Sequence, residues 1–320
     1  MPIVSSSDFI PVMDRFIGHW ESSDPDLILP ENGLPVALGH FTALRAALDA
    51  EKASLQGKLN DLENSRVVLL QIRQDAGDRI AEFNRRIRAD FPDHRLFNQL
   101  PPVPSRTAGR DAIILAMDDV LNIWTRVDAL PATPLFTAPM LLRGGLTLAQ
   151  FTALRTQVDA AFTARGAAEF ATLETRMKRN ELQSRALELM KKYRMKIEAL
   201  HAGDSVEILT LPRLSPLPGH TPDPVTLTGT WDIPATRAEL TWTASTDADL
   251  ATYQLRSTPG PDYSGEDEST VATFLPGTPL IYHTTTGFAH PGRAVSYKLY
   301  VRLTTGNEAG SAPVTIVRPG

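Results

Sequence analysis

The chain has no cysteine among its 320 residues, which excludes disulfides, thiolate metal ligands and cysteine nucleophiles together. It has no apolar run approaching the ~20 residues needed to cross a bilayer, so no membrane-spanning helix is expected. Catalytic signatures are also missing: there is no G-x-S-x-G elbow, no Walker loop and no G-x-G-x-x-G. Histidines at positions 19, 40, 94, 201, 220, 283 and 290 lack the i, i+4 pairing of a helical zinc site. His19 and His40 fall near short-helix ends, where structural roles are expected. No Arg-Gly-Asp occurs, so integrin-type adhesion has no basis. With no nucleophile–base pair or metal set to name, the expectation is a protein that is not an enzyme, with no catalytic residue, cofactor or metal. Met1 to Ile10 has neither a basic leader nor an apolar signal core. A cytoplasmic location is therefore the default, with surface or extracellular assembly by a signal-independent route as the alternative.

What the chain does have is a phrase said twice. Met13-Asp14 with Trp20 returns as Met117-Asp118 with Trp124, and Phe41-Thr42-Ala43-Leu44-Arg45 returns as Phe151-Thr152-Ala153-Leu154-Arg155. Two anchors in the same order indicate a duplicated unit, each copy a short helix, a loop and a very long helix. Apolar residues at Leu44, Leu48, Leu55, Leu59, Leu62, Leu69, Ala76, Ile80, Phe83 and Ile87 make a helical stripe close to a heptad seam. Leu154, Val158, Phe162, Phe170, Leu173, Met177, Ala186, Leu189, Tyr193, Ile197 and Leu200 make the second. A helix of about 50 residues is a rod of roughly 75 Å. Gly57 and Gly166 could break the rods, but a helical glycine costs only about 1 kcal/mol, and continuity is favoured. Asp90-Phe91-Pro92 ends the first rod, three prolines between Leu100 and Ser105 form a connector, and Thr147 offers an N-cap for the second.

The expected helical fold is a duplicated, long-helix four-helix bundle over residues 1–202, with repeats at about 8–91 and 110–201. Up-down tracing places the long helices in the same direction, with Trp20 and Trp124 as anchors that lock each short helix, about Asp8 to Trp20 and Arg110 to Val127, onto its long partner. Arms longer than their clamps leave apolar surface for a second copy, another helix or the following domain. Loop segments such as Phe97 to Leu100 folding back along the arms are the alternative cover.

Residues 203–224 carry Pro212, Pro216, Pro218, Pro222 and Pro224 and read as a stiff linker. Strands are expected at Val225–Trp231, Ala238–Ala244, Ala251–Arg256, Val271–Phe274, Leu280–Thr284, Val295–Leu303 and Pro313–Val317, which predicts an antiparallel β-sandwich over 225–320. Tyr297, Leu299, Val301 and Leu303 alternate with Lys298 and Arg302, so one face should be buried and one wet. Leu240-Thr241-Trp242 with Asp247, Asp249, Leu250 and Tyr253-Gln254-Leu255, then Tyr297 to Val301 and Asn307 to Pro313, resembles a fibronectin type III domain. The resemblance covers about a third of the chain. It implies a binding and spacing module, with Trp242 as the core indole and Tyr297 as the corner tyrosine whose hydroxyl bonds nearby backbone. The whole layout, opening on Asp8-Phe9-Ile10-Pro11, also resembles uncharacterised bacterial proteins that join a helical region to a fibronectin-like domain.

Charge supplies the candidate interaction residues. Between Arg176 and Lys196, eight basic residues (Arg176, Lys178, Arg179, Arg185, Lys191, Lys192, Arg194 and Lys196) face two acidic ones, and Arg66 to Arg88 has six against three. Helix dipoles account for part of this. Nucleic acid is disfavoured because stacking aromatics are nearly absent from both runs. From Pro216 onward the tail is net −4 of the chain's −5, with Asp262, Glu266, Asp267 and Glu268 clustered. The basic run is expected to meet that acidic tail. Calcium at Asp247 and Asp249 with this cluster is disfavoured against a solvated loop. The functional expectation is a non-enzymatic structural or interaction protein that self-assembles through its long helices and displays the fibronectin-like domain. The alternative is an adhesive or ligand-binding module that recognises a glycan or protein through loops such as Pro259–Ser269.

Overall fold

The computed structural model describes residues 2–91, 95–132 and 136–320, so the helix-breaking Pro92 and the histidine at 94 lie outside the described residues. A long helical region precedes antiparallel sheets. In chain order come α1 (Phe9–Ser23), a hairpin of β1 (Leu29–Glu31) and β2 (Leu34–Val36), α2 (Leu38–Asp90), α3 (Arg110–Asp128), α4 (Leu148–Leu200) and the one-turn α5 (Val206–Leu209). There follow β3 (Leu227–Asp232), β4 (Arg237–Trp242), β5 (Leu250–Pro259), β6 (Ser269–Phe274), β7 (Ile281–Thr284), β8 (Ala294–Leu303), β9 (Glu308–Gly310) and β10 (Val314–Val317).

α2 and α4 each run 53 residues, unbroken through Gly57 and Gly166. A propensity cost of about 1 kcal/mol at one position does not interrupt a hydrogen-bond ladder of that length. α4 opens on a capping box, with Gln150 N–H donating to Thr147 Oγ1 at 3.2 Å and Thr147 N–H donating to Gln150 Oε1 at 2.8 Å. In α2 the returning acceptor is His40, whose Nδ1 takes the Ala37 N–H at 3.2 Å.

The chain divides into two compact units, Met1–Glu63 with Ala171–Gly320, and Asn64–Phe170. In the helical part of the first, Val12, Met13 and Phe16 of α1 share a core with Leu44 and Leu48 of α2 and Leu189 and Ile197 of α4. Trp20 stacks on Tyr193 at 4.8 Å between ring centroids and lies 5.9 Å from Phe41. Further along, Thr172 Oγ1 donates to the Lys58 carbonyl at 3.4 Å. As α2 advances, α4 therefore recedes.

The second unit has the same arrangement with the long helices exchanged. Met117, Val120 and Ile123 of α3 join Ile80 and Ile87 of α2 and Leu154 of α4. Trp124 stacks on Phe83 at 5.5 Å and lies 5.8 Å from Phe151, and the Arg73 guanidinium sits 5.6 Å over the Phe162 ring. Here too α2 and α4 run antiparallel.

This corrects the expected bundle. Each unit contains one short helix against the two long ones, and the long helices are antiparallel. The tryptophans give the reason: each bridges the start of its own long helix (Phe41 or Phe151) and the end of the other (Tyr193 or Phe83). A heptad stripe has the same spacing read in either direction, so periodicity alone leaves the orientation open. The stripe is also only partly covered. Leu173 and Met177 in the first unit are 49% and 65% exposed, and Phe170 in the second is 70% exposed.

In the first unit the sheets are a three-stranded β3-β4-β7 and a five-stranded β10-β8-β5-β6 with β9 also on β8, all antiparallel. They share one core, in which Leu227, Leu240 and Trp242 meet Tyr253, Leu255, Leu299 and Val301. Trp242 lies 4.9 Å from the Phe274 ring. Tyr297 is buried, but the tyrosine hydroxyl that bonds turn backbone is that of Tyr253, which accepts the Ser245 N–H at 2.7 Å. The other face of β8 is not wet: Arg302 is only 5% exposed. In the proline-rich segment Leu211 is buried and Leu217 N–H donates to the Thr305 carbonyl at 3.0 Å.

Candidate functional site: a charged seam and the cleft beside it

Arg176 and Arg179 stand three residues apart on α4 and thus on one face. Both reach the turn between β5 and β6. Arg176 grips the Asp267 carboxylate with Nε to Oδ1 at 2.9 Å and Nη2 to Oδ2 at 2.6 Å. Arg179, almost fully buried, donates to the Glu266 carbonyl and lies 3.3 Å from Asp267 Oδ1. Its remaining nitrogens bond Asn180 Oδ1 at 3.0 and 2.7 Å. The Asp267 hydrogen bond raises the Arg176 pKa, whereas burial lowers that of Arg179 with Asp267 opposing.

A second, more deeply buried chain of charges lies alongside. Arg256 Nη1 meets Glu268 at 2.7 Å and Glu308 at 3.0 Å, and Nη2 meets Glu308 at 2.8 Å. Its guanidinium carbon sits 3.9 Å over the Tyr300 ring. Burial alone would lower the Arg256 pKa, but Glu308 and then Glu268 outweigh it and the net shift is upward. Arg302 Nη2 lies 2.9 Å from both Asp8 oxygens and 3.2 Å from Glu308. Asp8 also accepts the Val4 and Ser5 N–H groups at 3.0 Å each, the returning half of a capping box. Tyr263 and Tyr300 donate to Glu268 Oε2 at 2.5 and 3.1 Å, and burial followed by Glu268 raises the pKa of Tyr263. Lys52 of α2 donates to the Ser6 carbonyl at 3.1 Å, its pKa lowered by burial and then by Arg179. Ala294 N–H donates to Glu63 Oε1 at 3.1 Å, and Arg293 Nη2 to Asn60 Oδ1 at 2.9 Å. Such pairs give little net stability, but losing one partner strands a buried charge at a cost of about 3–5 kcal/mol.

The structure thus splits the basic run. Arg176 and Arg179 face Asp267 and the Glu266 backbone. Lys178 pairs with Glu174 at 2.9 Å and Lys191 with Glu188 at 2.8 Å, both on the exposed side of α4. Arg185 holds Glu31 at 2.7 Å, Lys192 donates to the Pro30 carbonyl at 3.0 Å, and Arg194 meets Glu198 at 3.0 Å and the Pro212 carbonyl. Lys196 and Asp262 are exposed. Glu268 belongs to the second charge chain. Asp247 and Asp249 sit instead with His220, whose Nε2 is 3.1 and 3.6 Å from their oxygens. The ten residues of β5, about 33 Å of strand, separate them in the chain from the 262–268 turn. Sequence reasoning missed Asp8, Arg256, Arg302 and Glu308. The one local signal was Ser5-x-x-Asp8, a capping-box spacing.

Beside the seam lies a cleft of about 880 Å³ bounded by α1, the segment through α5 and the β8–β9 turn. His19 forms part of its wall, with Nδ1 2.7 Å from the Tyr193 hydroxyl and Nε2 2.9 Å from the Glu207 carbonyl. Arg15 and Arg213 also line it.

No family model matches the chain, and no curated protein matches its sequence. Three solved structures are similar to part of the chain. A fibronectin III-like protein from Clostridium thermocellum is 24% identical, aligning 32% of this chain with 97% of that one at a TM-score of 0.25. Pectate lyase PelI from Erwinia chrysanthemi in complex with tetragalacturonic acid is 15% identical over 29% of this chain and 28% of that chain, TM-score 0.25. Pectate lyase Pel3 from Pectobacterium carotovorum is 11% identical over 29% of this chain and 27% of that chain, TM-score 0.25. Because these neighbours include enzymes, the expectation that the chain is not an enzyme is withdrawn. Similarity at this level assigns it no reaction.

Proposed function

We propose that the chain is a structural interaction protein in which two copies of one helical unit carry a fibronectin type III-like β-sandwich, and in which α4 pairs with a second copy. The equivalent roles of Asp14–Arg45 and Asp118–Arg155, and of the two tryptophans, support the duplication. The observation that carries the functional reading is the exposure of Leu173 and Met177, one helical turn apart on α4. Apolar side chains at that spacing form a face that a second helix covers. The charged seam supports a fixed rather than swinging sandwich, because the 266–268 turn is held by α4. That engagement also weighs against Pro259–Ser269 as a free recognition loop.

Size-exclusion chromatography with light scattering tests the proposal. The expected result is a mass above one chain, reduced by Leu173→Gln with Met177→Gln. A strict monomer at every concentration and salt would overturn it.

A further inference from the structure

The 880 Å³ cleft falls within the range of small-molecule sites, about 300–1,000 Å³. Its charges are unevenly satisfied. Arg302 is engaged by Asp8 and Glu308, and the Glu207 carboxylate faces His201 at 3.6 Å. Arg15, on α1, and Arg213, just beyond α5, are exposed and form no ion pair among the described residues. Arg45, Arg155, Arg176, Arg185 and Arg256 all have carboxylate partners. The cleft therefore gathers two uncommitted guanidinium groups, each a fork suited to a planar or tetrahedral oxyanion.

The rest of the lining limits the shape of the anion. Val206 and Leu217, 70% and 41% exposed, add apolar surface to the same lining. Ser22, Thr210, Thr252 and Thr305 add hydroxyl groups. His19 has both ring nitrogens committed to Tyr193 and Glu207, so it forms a fixed wall. We infer that this cleft binds a small amphipathic organic anion, its carboxylate, sulfonate or phosphate held by Arg15 and Arg213 and its apolar part against Val206 and Leu217.

Anilinonaphthalene sulfonate is a suitable probe, with neutral N-phenylnaphthylamine as its uncharged counterpart, each titrated against the full chain by fluorescence. The expected result is one saturable sulfonate site per chain, weakened at least tenfold in Arg15→Gln/Arg213→Gln and weakened by added salt, with neutral-probe affinity changed less than twofold. Both arginines are exposed and outside the ion-pair network, so the double variant should melt within a few degrees of wild type; the single variants serve if it does not. Met177→Gln, which tests the self-association face, should leave the sulfonate site unchanged. Wild-type sulfonate affinity in the double variant would overturn the inference. So would loss of the site in Met177→Gln, or equal weakening of both probes by the arginine changes.

Discussion

Arg176 and Asp267 meet fork to fork, Nε to Oδ1 at 2.9 Å and Nη2 to Oδ2 at 2.6 Å, joining the middle of α4 to the turn between β5 and β6. Arg179 shares the same carboxylate from one turn further along, itself 3% exposed. Replacing Asp267 with Asn keeps the shape but leaves two guanidinium groups facing a neutral side chain. Asp267→Asn should therefore destabilise the first unit by about 3 kcal/mol, read by denaturant unfolding. Amide exchange in residues 262–269 should accelerate with it. Unchanged exchange there would mean that the seam does not hold the turn.

The two clamps allow a matched comparison. Trp20 and Trp124 are essentially fully buried and each contacts two aromatic rings. Trp20→Ala and Trp124→Ala should each cost about 3–5 kcal/mol. Arg45→Gln and Arg155→Gln remove partly exposed ion pairs and should each cost less than about 1 kcal/mol. If one tryptophan proves dispensable, the two halves are not equivalent units. Unfolding curves for the four variants decide it.

The sequence made the elements legible because their causes are local. Two stripes of helical period gave α2 and α4, and alternation around Tyr297–Leu303 gave β8. The orientation of α4 was not legible, because it depends on which distant ring Trp20 meets, and nothing in the spacing of Leu189, Tyr193 and Ile197 encodes that partner. The seam was half legible. Charge count pointed from the basic run to the acidic turn, yet Arg302 read as a solvent-facing alternate. Only the packing of the Ser5–Asp8 segment against that face makes it buried. Leu173 and Met177 read as core for a similar reason: they precede Leu182, the earliest α4 residue packed on the α1 cluster.

Acid should loosen the β1–β2 hairpin. Hydrogen bonds from Arg185 hold the Glu31 carboxyl below its ordinary value of 4.5, with burial opposing and the Arg185 charge adding to the shift. The folded pKa is thus depressed. Between the two values the unfolded chain binds more protons, and stability rises with pH. This contribution is fully present above pH 4.5 and is lost as pH falls through the folded value. Glu31→Gln should flatten that part of the stability profile below pH 4.5. Superimposable wild-type and variant profiles would show that the pair is energetically silent.

The turn joining β8 to β9 presses on the start of the chain. Gly306 has φ +89°, a backbone conformation that L side chains rarely adopt, and a Cβ placed there would lie 2.6 Å from the Pro2 ring carbons. Gly306 N–H donates to the Leu303 carbonyl at 2.9 Å, so the turn cannot relax without giving up that bond. Gly306→Ala therefore carries two separable costs, about 1 kcal/mol or more for the left-handed backbone and a steric cost from Pro2. Pro2→Ala removes the Cγ and Cδ atoms that create the second cost and leaves the first. In a double-mutant cycle, Gly306→Ala should cost less in the Pro2→Ala background than in wild type, with a coupling above about 0.5 kcal/mol. Equal costs in both backgrounds would mean that the N-terminal segment does not rest on this turn. The backbone cost alone would then explain the glycine.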